Sequence, residues 1–60
     1  MYELNYSRHR EAYILVTDGA EWSGDLDGDI VPLCIIQADS EAEALRTAQS
    51  IAKGPVEVAR

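Results

Sequence analysis

Cys34 is the only cysteine in this chain of 60 residues, so no disulfide within the chain can stabilise its fold. The single histidine, His9, has no cysteines around it to complete a zinc site. A chain of this length buries only about 60% of the surface that its unfolded form exposes, and such small domains usually depend on a disulfide, a metal or a partner. We therefore expect a single domain over residues 1 to 60 that relies on one compact core or on a partner chain.

Hydropathy patterns predict three strands in the first two thirds of the chain. Residues 2 to 6 alternate between apolar and polar, the period of a strand with one covered face. Residues 12 to 17 form a continuous β-branched and aromatic run, typical of a central strand, and the polar residues 7 to 11 become the hairpin connection. A third strand is predicted over 30 to 38. Pro32 cannot donate a ladder hydrogen bond there, so it belongs near a strand start, a bulge or an edge.

One helix is predicted after the third strand. Ser40-Glu41-Ala42-Glu43 fits the capping box, in which the Ser and Glu side chains satisfy exposed backbone N–H groups at a helix start. Apolar residues at helical spacing continue to about residue 53, where Gly54 and Pro55 form a stop signal. A short fourth strand follows at 56 to 58.

These elements predict an α+β fold with the chain order βββαβ. The sheet has three to four mainly antiparallel strands, with one helix on one face. The helix-free face would carry Ile14, Val16, Ile35 and Tyr6, and because so short a chain can hardly cover it, we expect a homodimer. The predicted core residues are Tyr2, Leu4, Tyr13, Leu15, Cys34, Ile36, Leu45, Ala48, Ile51 and Val56.

The charge of the chain is −6 and is unevenly placed. Eight acidic residues lie between positions 18 and 43, with no lysine or arginine among them. Such a field repels nucleic acid and attracts basic protein surfaces, so we expect a basic surface of a host protein or protein–nucleic acid complex as partner, without direct nucleic-acid binding. Acids on a loop and a helix N-terminus can also imitate the phosphates of a nucleic acid; the alternative is that they keep a small protein soluble. The predicted partner-binding residues are Asp18, Glu21, Trp22, Asp25, Asp27, Asp29, Asp39, Glu41 and Glu43.

Trp22 is the only tryptophan and stands in the middle of a predicted loop of about ten residues, well above the usual hairpin length. Its sequence neighbours are acidic or small. Tryptophan is a favoured interface anchor, and the surrounding acids would match a basic rim on a partner. The alternative is that the loop folds back and Trp22 covers the helix-free face of the sheet.

Other chemistry finds little support in the sequence. The run from Asp25 to Asp29 places three carboxylates at alternate positions, as the first half of an EF-hand loop does, but Ile30 and Ile36 stand where that loop needs Gly and Glu. The three alternating carboxylates still leave a small divalent-cation-binding module as an alternative function. Cys34 lies in an apolar strand and is interpreted as a small buried hydrophobe, and His9 as an exposed turn residue. We predict no enzyme activity and no cofactor.

The longest apolar stretches, near 13 to 16 and 30 to 36, are far shorter than the roughly 18 residues of a membrane span. The N-terminus has no signal-peptide pattern. We expect a soluble protein of the cytoplasm, with no membrane partner.

Two resemblances suggest a function. In its size, acidity and α+β organisation, the chain resembles the small phage-encoded inhibitors of bacterial defence that include the anti-CRISPR proteins. That resemblance implies binding to the nucleic-acid channel of a CRISPR effector complex in the host cytoplasm. Locally, Ala38-Asp39-Ser40-Glu41-Ala42-Glu43-Ala44 resembles the helix start of HicB-like antitoxins, which implies neutralisation of a small toxin ribonuclease. Val31-Pro32-Leu33-Cys34 departs from the HicB pattern, so the antitoxin is the second hypothesis.

Overall fold

A computed structural model describes residues 1–17, 20 and 30–59 of the chain. Within these residues, four strands and one helix follow one another in the order that the sequence predicts. They are β1 (Tyr2–Ser7), β2 (Ala12–Val16), β3 (Ile30–Ile36), α1 (Glu41–Ile51) and β4 (Val56–Ala59).

The four strands form one mixed sheet in the spatial order β3-β1-β2-β4. β1 pairs antiparallel with both β2 and β3, whereas β2 and β4 are parallel. β2, β3 and β4 therefore run in one direction and β1 in the other. Since β3 and β4 are the two edge strands, α1 connects opposite edges and contacts both of them. The predicted α+β class is confirmed.

The hairpin between β1 and β2 turns through Arg8 to Glu11, as predicted. Ser7 and Ala12 are the last register partners, and the Arg10 backbone N–H donates to Ser7 Oγ at 3.2 Å. Glu11 adopts φ 53°, the left-handed conformation that side chains other than glycine and asparagine rarely take. The turn therefore holds one residue in an unfavourable backbone conformation.

Pro32 lies where the sequence placed it. β3 is an edge strand, and its register with β1 shifts between Leu4, which faces Cys34, and Asn5, which faces Pro32. Leu33 is the additional residue of this irregularity. An edge position beside a register shift is where a residue without a backbone N–H disturbs the sheet least.

The core lies between the sheet and one face of the helix. Leu4, Leu15 and Ile36 of the sheet pack with Ala44 and Ala48 of the helix, and all five are buried. The small alanine side chains allow the helix backbone to approach the sheet closely. Tyr2, Tyr13, Ala38, Leu45 and Val56 pack partly buried against this cluster.

The core prediction is wrong for Cys34 and Ile51. Cys34 is exposed although its register partner Leu4 is buried. It lies on the edge strand β3, where residues 31 to 35 are all exposed. Ile51 is 46% exposed at the last helical position. The helix stops there rather than at residue 53, because Ala52 adopts an extended conformation, with φ −72° and ψ 144°.

The helix-free face also differs from the expectation. Ile14 and Val16 flank the helix-facing Leu15 and so lie on the helix-free face, as predicted, but they are only 2% and 9% exposed. Tyr6 pairs with Tyr13, and their rings meet edge to face at 5.0 Å on the helix side of the sheet. Of the four residues proposed for the dimer interface, Ile35 alone is widely exposed, at 56%, and it belongs to the edge strand.

Candidate protein-binding surface

The structure describes three of the nine predicted partner-binding residues, Asp39, Glu41 and Glu43. Trp22 and the carboxylates from Asp25 to Asp29 lie outside the described residues, so both alternatives for Trp22, and the alternative of a divalent-cation module, stay untested. The other predicted partner-binding residues outside the described ranges are Asp18 and Glu21.

Asp39, Glu41 and Glu43 lie around the start of the helix, which Ser40 caps. Ser40 has extended φ and ψ angles of −148° and 161°, and its Oγ accepts a hydrogen bond from the Glu43 backbone N–H at 3.2 Å. Glu43 Oε2 in turn accepts from the Asp39 backbone N–H at 3.3 Å. This reciprocal pair confirms the predicted capping box, with the Glu side chain reaching one residue before the cap. Glu43 therefore stabilises the helix start in addition to carrying charge.

Sheet topology brings a fourth acid to the same end of the molecule. Antiparallel pairing places Glu3, near the start of β1, opposite Ile35 of β3, and β3 leads into the helix start. Met1 links the two regions: it lines one surface depression with Asp39 and Glu43 and another with Glu3 and Ile35. We refer to Glu3, Asp39, Glu41 and Glu43 as the acidic end.

Basic residues gather at the opposite end. Arg8 and Arg10 lie in the β1–β2 turn, beyond the Ser7–Ile30 register pair of β1 and β3. Lys53 follows the helix two residues before Pro55, whose carbonyl accepts a hydrogen bond from the Tyr13 backbone N–H at 2.9 Å near the start of β2. We refer to Arg8, Arg10 and Lys53 as the basic end. Glu11 lies in the same turn and Glu57 of β4 contacts Arg10, so this end holds two acids beside its three bases, whereas the acidic end holds four acids.

Arg10 forms an ion pair with Glu57 of β4. The two side chains are 57% and 42% exposed, so water screens their interaction and its contribution to stability is small. The pair ties the turn to the neighbouring edge strand while Arg10 keeps part of its surface in solvent.

Beside the acidic end, the edge strand β3 is the second exposed feature that could contact a partner. Residues 31 to 35 of β3 are all exposed, and Leu33 and Ile35 expose 45% and 56% of their surface. No charged residue occurs from 30 to 38. Natural edge strands are usually protected by lysine, proline, irregularities or a short length. β3 has Pro32 and a register shift but no charge. Pro32 indicated from the sequence that β3 could be an edge strand, whereas the exposure of five consecutive residues was not predicted.

No group of three or more His, Cys, Asp or Glu residues that could hold a metal ion occurs within 1–17, 20 and 30–59. His9 is exposed in the turn, as predicted. Within the same ranges, no helix is both long and apolar enough to cross a membrane.

Comparison with known proteins found no match: no protein-family model, curated protein or solved structure matches the chain.

Proposed function

We propose that this protein is a non-enzymatic, acidic inhibitor that binds a basic surface of a nucleic-acid-handling host complex, in the manner of the anti-CRISPR proteins. The observation that supports the proposal is the segregation of charge in the folded chain. The acidic end carries four carboxylates with no basic residue among them, and the described bases lie at the opposite end or on the middle of the helix.

A protein built in this way presents negative charge in one direction. Lys and Arg side chains that line a nucleic-acid channel attract such an end as they attract phosphates, and the attraction grows as salt is lowered. Asp18, Glu21, Asp25, Asp27 and Asp29 add five further acids to the chain. In this mechanism the acids accelerate association, and Trp22 is the desolvated anchor that slows dissociation. The inhibitor would work in the cytoplasm of the host cell.

The direct test is displacement of nucleic acid. Labelled target DNA is bound to purified CRISPR effector complexes, and its fluorescence anisotropy is followed as the protein is added. We expect displacement in about 50 mM salt that weakens strongly by about 200 mM, because ion release makes such competition salt-dependent. If no effector complex loses its DNA at the lower salt, the inhibitor function is wrong.

A matched pair of variants tests the role of the acidic end. Glu3→Gln with Asp39→Asn removes two charges there, whereas Glu11→Gln with Glu57→Gln removes two charges elsewhere. Both pairs change the net charge equally, and neither alters Ser40 or Glu43 of the capping box. The first pair should weaken displacement and flatten its salt dependence, and the second should act like the parent. Equal loss in both would mean that net charge acts without a defined contact surface.

Neutralisation of a small toxin ribonuclease is the second candidate function. It is supported by the segment 38 to 44, in which the resemblance to HicB-like antitoxins and the observed capping box coincide. Co-expression with HicA-like toxin ribonucleases distinguishes the two functions. An antitoxin should restore growth in the presence of its toxin, whereas a channel-blocking inhibitor should leave the toxin active.

A further inference from the structure

We draw no further inference here: the strongest candidate, the uncharged edge strand β3 with its exposed residues 31 to 35, carries nothing because nothing in the structure shows what covers it.

Discussion

Replacing Ser40 by Ala removes one well-defined interaction from the helix start. Ser40 Oγ accepts the Glu43 backbone N–H at 3.2 Å, and no residue of the helix can replace it, because this N–H belongs to the first turn. Alanine at an N-cap position costs about 1 kcal/mol of stability. The Asp39 N–H to Glu43 contact does not involve the Ser40 side chain, so the substitution leaves its two partners in place.

That loss is large for so short a chain. At roughly 0.05 to 0.15 kcal/mol per residue, the whole chain of 60 residues has a free energy of unfolding of about 3 to 9 kcal/mol. An unfolding entropy of about 2.1 cal/mol/K per residue converts a loss of about 1 kcal/mol into a fall of about 8 °C in the melting temperature. Circular dichroism at 222 nm, a wavelength that reports the helix, measures this change.

Ser50→Ala is the matched control in the same helix. Ser50 Oγ donates to the Thr47 carbonyl at 2.7 Å, a bond to a carbonyl already within the helix, and alanine has the higher helix propensity. We expect the melting temperature of this variant to stay within about 2 °C of the parent. If Ser40→Ala and Ser50→Ala have the same melting temperature, the capping hydrogen bond does not stabilise the helix start.

Further predictions concern the sheet and its hairpin. Asn5 is 1% exposed, and its Nδ2 has no hydrogen-bond partner in the described structure. Asn5→Val removes this unpaired group and should raise the free energy of unfolding by about 1 to 3 kcal/mol, seen as a higher urea midpoint. A lower midpoint would contradict this. Leu15→Ala should lower the free energy of unfolding by about 2 to 5 kcal/mol and leave much of the chain unfolded at 37 °C. Leu33→Ala, on the exposed edge, should change the free energy of unfolding by less than about 0.5 kcal/mol. Thermal melting measures both changes. Glu11→Gly relieves the positive φ of 53° and should raise the melting temperature, with a gain limited to about 1 kcal/mol by the greater freedom of glycine in the unfolded chain; a fall in melting temperature would contradict it.

Local patterns in the chain were sufficient to predict its elements and their order. The capping box at Ser40, the Gly54-Pro55 stop and the alternation of residues 2 to 6 each depend on neighbours a few positions apart. Because such short-range interactions can be identified from the sequence, all five elements begin and end within two residues of the predicted positions. Pro32 even indicated an edge strand, because a missing N–H has the same consequence in any sheet.

The exposure of each strand followed from contacts between distant residues. β3 is outermost because β1 pairs with both β2 and β3, and no local pattern specifies that order. The order leaves Cys34 exposed, although its apolar neighbours in the sequence predicted a core residue. The same pairing gathers Glu3 and Asp39 at one end of the molecule and separates them from the arginines of the turn. Asp39, Glu41 and Glu43 are already neighbours in the sequence, whereas antiparallel pairing of β1 with β3 adds Glu3 to them, because it sets distances between residues that the linear chain holds far apart.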